Sequence, residues 1–277
     1  MSVVFVDSAC ELNAAQVKKL GLDMVKFNVK LNGKNVQKSN EAYLDACKNA
    51  GSLSLAVTKN DYVKAFLPYI NNGENILYFA TNQIKFNITT PFSDAVKEIN
   101  ENFPNRKVEV VDLGLASSVA GVLLYEVGLM SKRGDADDEI KNFVNNFKNE
   151  VRGYIVTNNA KYLSECENKD VNIKCQLNVN AVVDFESQKS VVLDYVNGRK
   201  KALNQVVTFI ENNSVNLADH IIVVSYAVQE QSAEYFKDCL EKKFNNECTV
   251  LLQKMSLASV MVYGADTIVV GFHGKKH

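Results

Sequence analysis

The stretch VEVVDLGLASSVAGVLLYEVGLM, residues 108–130, decides the fold. Residues 108–111 read as a strand that closes at Asp112. The run after it, 113–130, carries Ser117, Ser118, Gly121, Gly128 and Glu126, so it fails the length and apolarity needed to span a bilayer. It reads instead as a buried helix over 116–131. A strand that hands the chain to a buried apolar helix belongs to α/β architecture, in which helices wrap a parallel sheet.

Upstream, the same alternation recurs. Residues 2–6 form a strand ended by Asp7-Ser8. Residues 24–31 alternate, with Val25, Phe27, Val29 and Leu31 on one face and Lys26, Asn28 and Lys30 on the other, which reads as one half-exposed edge strand. Helical spacing follows in Tyr43, Ala46, Cys47 and in Tyr62, Ala65, Phe66, Tyr69, Ile70. A strand at 75–81, a loop at 82–90 and a helix starting at Pro91, with Phe92, Ala95, Val96 and Ile99 inward, lead back to the opening stretch. Downstream, a helix opens after Gly134 with an acidic first turn that suits the helix dipole, and buries Ile140, Phe143, Val144 and Phe147.

From Val151 the pattern changes. Strands at 153–156, 171–183 and 191–196 follow with little helix between the last two, which predicts an antiparallel pair joined by a turn at 186–189. A helix at 199–212, a strand at 220–225, a helix at 229–244 and strands at 248–252 and 267–272 complete the chain. The expected fold is α/β in two lobes: residues 1–150 with a parallel sheet flanked by helices, and residues 151–277 with a mixed or antiparallel sheet.

The composition bounds the function. The 277 residues carry 31 Lys plus Arg against 32 Asp plus Glu, a net charge of −1, which argues against a nucleic-acid partner. Apolar residues make up 47% and Pro only 3, so the chain is globular and long enough to enclose a cavity. Four of the basic residues are Arg (Arg106, Arg133, Arg152, Arg199), and two of the three His, His273 and His277, lie in the last five positions. Bidentate anion clamps and histidine bases are therefore scarce. The N-terminus lacks the cationic region of a signal peptide. The six cysteines form no CxxC pair and no zinc pattern, and are expected as reduced thiols in the cytoplasm, with no metal and no cofactor.

No phosphate-binding glycine loop and no GxSxG elbow occurs. The hydroxyl-bearing segments at strand ends, Asp7-Ser8, 52–58, 81–90 and 112–118, are where an α/β sheet places its ligand. Ser8 and Thr81 are candidates on that ground, although Ser and Thr at such positions also serve as caps and turn formers. The triplet Arg199-Lys200-Lys201 sets cations at a helix start, against the dipole. His220 opens an apolar strand, where a structural role is the ordinary one.

The order of these segments resembles the DegV family of bacterial fatty-acid-binding proteins. Its Thr-Asp-Ser after the first strand is similar to Val6-Asp7-Ser8. Its Thr-Ser-x-Pro-Ser segment corresponds in position to Ser54-Leu55-Ala56-Val57-Thr58, and its Ser-Gly-Thr-Tyr to Thr89-Thr90-Pro91-Phe92. Its Arg-x-Arg-Lys-Lys-Ala-Leu is echoed by residues 197–203, Asn-Gly-Arg-Lys-Lys-Ala-Leu. Its terminal His-x-Gly-Pro-Gly is echoed by residues 262–266, Val-Tyr-Gly-Ala-Asp. The likeness runs from 3 to 272. The family's Gly-Gly-Arg is missing after Tyr162-Leu163.

The resemblance implies a carrier without chemistry of its own, which encloses a long-chain fatty acid or similar lipid between its lobes and presents the carboxyl group to a separate fatty-acid kinase. By position the head-group residues are Ser54, Thr89, Asn197 and Val262, the last two standing where the family has Arg and His. Arg199, two residues on, is the candidate substitute cation. A neutral hydrogen bond contributes about 1 kcal/mol and a charged donor about 1.5–3, so these replacements predict weaker anion binding. Two alternatives follow: a degenerate member that binds another hydrophobic ligand or a protein, and an α/β hydrolase or transferase using a Ser or Asp at a strand end.

Overall fold

The computed structural model describes residues 2–37, 39–82, 86–168, 178–185 and 190–276. The expected turn at 186–189, Cys175 and the first seven residues of the strand expected at 171–183 lie outside the described residues.

Among the described residues, seven strands belong to the first part of the chain: β1 (Val3–Asp7), β2 (Asp23–Val25), β3 (Val29–Leu31), β4 (Lys34–Asn35), β5 (Leu53–Leu55), β6 (Ile76–Ala80) and β7 (Val108–Asp112). β1, β2, β6 and β7 form an all-parallel sheet in the order β2-β1-β6-β7. Its inner strand β6, ILYFA, is buried at every position, as a continuous apolar run covered on both faces must be. The edge strand β7 is half-exposed.

The single edge strand expected at 24–31 is two strands in two sheets. β2 pairs with β1, whereas β3 turns away to form a small antiparallel sheet, β4-β3-β5. The break falls where the Phe27 N–H donates to the Ser8 hydroxyl at 2.9 Å rather than to a neighbouring strand. Helix Thr89–Asn102 likewise begins two residues before Pro91. A proline at the third helical position costs no hydrogen bond, because the first four N–H groups of a helix have no partner within it.

Helix Ser117–Arg133 is the centre of the molecule. Ten of its residues are buried, and it packs on β8 (Val151–Thr157), β11 (Ile221–Tyr226) and β13 (Ile268–His273) as well as on the turn Ser8–Cys10 after β1. Glycines allow that approach. A Cβ on Gly121 would stand 2.6 Å from the Cys10 carbonyl oxygen, and one on Gly271 would stand 2.5 Å from that of Ser118. Hydroxyls finish the seam: Ser118 Oγ lies 2.8 Å from Ser225 Oγ and donates to the Val269 carbonyl at 3.1 Å.

The second sheet runs β10-β9-β8-β13-β11-β12, with β9 (Val179–Asp184), β10 (Val191–Asn197) and β12 (Thr249–Lys254) completing it. All its pairs are antiparallel except β11 with β12, so the expected antiparallel pair is β9 with β10 in a mixed sheet. Helices Arg199–Asn213 and Glu230–Lys243 cover one face, with Leu203, Val206, Ile210, Phe236 and Leu240 buried. Among the described residues three short helices escaped the sequence pattern, Ala14–Lys19, Ala160–Glu165 and Leu257–Tyr263, the last apolar on nearly every side of its two turns. The five described cysteines carry free thiols, and among the described residues no helix is long and apolar enough to cross a membrane.

Candidate functional site

A cavity of about 510 Å³ opens between β5, the start of helix Thr89–Asn102 and helix Leu257–Tyr263, lined by Leu53, Ser54, Leu55, Val57, Phe86, Asn87, Thr90, Pro91 and Met261. Six of the nine lining residues are apolar, but the hydroxyls of Ser54 and Thr90, the carboxamide of Asn87 and exposed backbone make somewhat more than half of the lining surface polar. β5 supplies Ser54 as the exposed residue between buried Leu53 and half-buried Leu55. Ile88, at the cap of the helix, offers its first-turn N–H groups no side-chain acceptor. The positive end of a fourteen-residue helix therefore meets the cavity beside a hydroxyl, an arrangement that favours a negatively charged or strongly polar oxygen.

The candidates from sequence divide into three groups. Ser54 and the Thr89-Thr90 turn come to this one cavity, with Thr90 rather than the exposed Thr89 on its lining. Val262 sits half-buried on the third wall, where its neighbour Met261 faces the cavity. Asn197 and Arg199 are not on the lining. Asn197 ends β10 opposite Val179 and is exposed. Arg199 starts its helix half-buried, with Nη1 donating to the Asp266 carbonyl at 2.7 Å. Burial pulls its guanidinium below the usual range.

Ser8 and Thr81 are engaged elsewhere. The Asp7 carboxylate is fully buried and accepts four hydrogen bonds: from the Ala9 N–H at 3.0 Å, Tyr78 Oη at 2.9 Å, the Thr81 N–H at 2.8 Å and Thr81 Oγ1 at 2.8 Å. The Thr81 hydroxyl thus ties the end of β6 to the end of β1, and Ser8 accepts from Phe27. Desolvation pushes the Asp7 acid up to about 6 against its four hydrogen bonds.

This burial sets a pH dependence. The unfolded acid titrates near 3.8 and the folded one near 6, so between those values the folded chain binds more protons. Stability from this group is fully present below about pH 4 and is lost as pH rises through about 6, by roughly 3 kcal/mol for a shift of about two units. Urea unfolding at pH 4.5 and pH 7 is expected to show this decline; burial also raises Glu11 to about 7 and adds to it in the same direction, so Asp7→Asn is expected to reduce the decline without abolishing it.

Residues that sequence reasoning missed are Phe86, Asn87, Thr90 and Met261. The helical register decides Thr90 over Thr89, and a start at Thr89 rather than Pro91 shifts it. Met261 lies on a helix that no periodicity marked.

A family model described as "Uncharacterised protein, DegV family" matches residues 1–275. A DegV domain-containing protein of Clostridium perfringens is 23% identical over 288 residues, covering 98% of this chain and 97% of its own. Among solved structures, a stearic acid-binding protein from Eubacterium ventriosum superposes with a TM-score of 0.83 at 16% identity, covering 98% of this chain and 97% of that one. The Fatty Acid Kinase B3 protein of Streptococcus pneumoniae, loaded with linoleic acid, has a TM-score of 0.77 at 14% identity, with 99% and 100% covered.

Proposed function

Because the chain belongs to the DegV family, we propose that it is a carrier that binds a fatty acid, with the carboxyl end at the Ser54–Thr90 cavity and the acyl chain between two lobes, residues 1–150 and 151–277. The single observation that carries this reading is the cavity itself. Two hydroxyls, a carboxamide and an open helix N-terminus meet at one spot among Leu53, Leu55, Val57, Phe86 and Met261, which supports a polar or anionic head group at this mouth with apolar side chains beside it to start the acyl chain. Fatty acids bound to solved structures of this fold support the choice of ligand.

In this reading the carrier works in the cytoplasm and offers the carboxyl group to a separate kinase. The name of the Streptococcus pneumoniae neighbour supports such a partner. The head group rests on Ser54, Thr90 and the helix end, with Ser8 and Thr81 building the sheet edge and Arg199 and Asn197 further out. Each hydroxyl that donates to the carboxylate contributes about 1 kcal/mol, so loss of both, about 2 kcal/mol, is expected to weaken binding at least tenfold.

Organic extraction of the purified protein followed by mass spectrometry should recover an acyl chain with a free carboxyl group, and the Ser54→Ala, Thr90→Ala double variant should bind oleic acid at least tenfold more weakly. No acyl lipid in the extract, together with no binding of added fatty acids, overturns the reading. A second reading, a lipid without a carboxyl group, is favoured by Arg199 being held on Asp266 and by aliphatic Val262; the mass of the extracted species separates the two.

A further inference from the structure

Helix Leu257–Tyr263 follows β12 of the second sheet, yet it rests against elements of the first part of the chain: the turn Ser8–Cys10, helix Asn40–Lys48, the turn Ala50–Ser52 and β5. It brings Met261 to the cavity. Its two turns make few backbone hydrogen bonds of their own, so its place is set by what holds its first residues.

Glu11 does so. It lies just past the turn Ser8–Cys10, only 4% exposed, in the left-handed region at φ 56°. Its Oε2 accepts from the Ser256 N–H at 2.7 Å and its Oε1 from the Ser256 hydroxyl at 3.2 Å, with the Ser259 hydroxyl also on the carboxylate. Ser256 Oγ in turn accepts from the Ser259 N–H, closing the cap. A glutamate committed to the interior and to an uncommon backbone conformation has its partners on the helix that walls the cavity, 245 residues away in sequence. Neighbouring links run the same way: Tyr43 Oη donates to the Met255 carbonyl at 2.8 Å and Asn13 Nδ2 to Gln253 Oε1 at 3.1 Å.

We propose that Glu11 is a positioning residue of the lipid cavity: its carboxylate fastens helix Leu257–Tyr263 beside the strand that carries Ser54 and so sets the wall formed by Met261. The inference rests on the assignment of the cavity to a fatty acid. Glu11 touches no ligand in this scheme and acts through the helix.

The test uses oleic acid with the full chain, measuring dissociation rate and affinity at a temperature well below each variant's melting point. Glu11→Ala is expected to speed dissociation at least tenfold. Glu11→Gln, which keeps an acceptor for the Ser256 N–H, is expected to stay within threefold of the wild type. Ser256→Ala with Ser259→Ala, which removes the hydroxyl contacts to Glu11 and the Ser256 cap while keeping the Ser256 N–H bond, is expected to speed dissociation at least threefold. A Glu11→Ala protein that melts earlier but releases oleic acid at the wild-type rate overturns the inference. If that variant does not fold, an unchanged rate in the double serine variant overturns it. A wild-type protein that binds no oleic acid overturns the lipid assignment and this inference with it.

Discussion

Asp7→Ala is expected to lower the folding free energy by at least about 4 kcal/mol, because it leaves four buried donors without an acceptor at about 1–3 kcal/mol each. These donors are the Ala9 and Thr81 N–H groups and the hydroxyls of Tyr78 and Thr81. Ordinary domains have about 5–15 kcal/mol to lose, so the variant should be marginal or unfolded at 37 °C. Its urea midpoint checks this. The loss is large because Asp7 joins β1 to β6 at the point where the chain enters the turn Ser8–Cys10. Asn at this position keeps one acceptor oxygen but turns an amide toward donors, and is expected to fall between the two. A midpoint for Asp7→Ala within 1 kcal/mol of the wild type, on the same scale, would sink this account of the network.

The second large effect is expected at Gly271. A Cβ there would lie 2.5 Å from the Ser118 carbonyl oxygen, 2.6 Å from its carbonyl carbon and 2.8 Å from Val119 Cα. All three are backbone atoms of the central helix, so nothing flexible can yield. Overpacking of a core ordinarily costs about 1–3 kcal/mol; with helix backbone as the obstacle, Gly271→Ala is expected to reach at least about 3 kcal/mol and to displace helix Ser117–Arg133 from the second sheet. Gly51→Ala is the control. A Cβ at Gly51 meets nothing within 4 Å, so its change should stay within about 0.5 kcal/mol. Thermal melts of the two variants, compared with the wild type, decide the point.

The architecture was legible in the sequence because its central elements are long and strongly patterned. The buried run after Asp112 and the continuous apolar strand at 76–80 have few readings other than an α/β core. Short elements were less legible. The alternation of residues 24–31 runs on unbroken through Phe27, but the chain changes sheets there, because a hydroxyl nineteen positions earlier takes the Phe27 N–H. Helix Leu257–Tyr263 is too short to show a period. The Ser54 and Thr89 neighbourhood followed from the order of segments, since that order is a property of the whole chain. The role of Thr81 did not follow, because a carboxylate 74 residues away claims its hydroxyl, and no local pattern records that. Glu11 was hidden for the same reason: a lone glutamate after a strand reads as surface, and its partners Ser256 and Ser259 lie at the opposite end of the sequence.

The order of strands in the second sheet bears on how the protein is made. β13 stands between β8 and β11 and pairs with both, while β8 begins at Val151 and β13 at Ile268. During synthesis β8 and β11 each keep one bare row of backbone donors and acceptors until residues 268–273 emerge. Closing so long a stretch of chain before any reward from pairing slows folding, and bare strand edges are where chains aggregate. A nascent chain halted before Ile268 should accordingly engage holdase chaperones, and release from them should coincide with the arrival of β13.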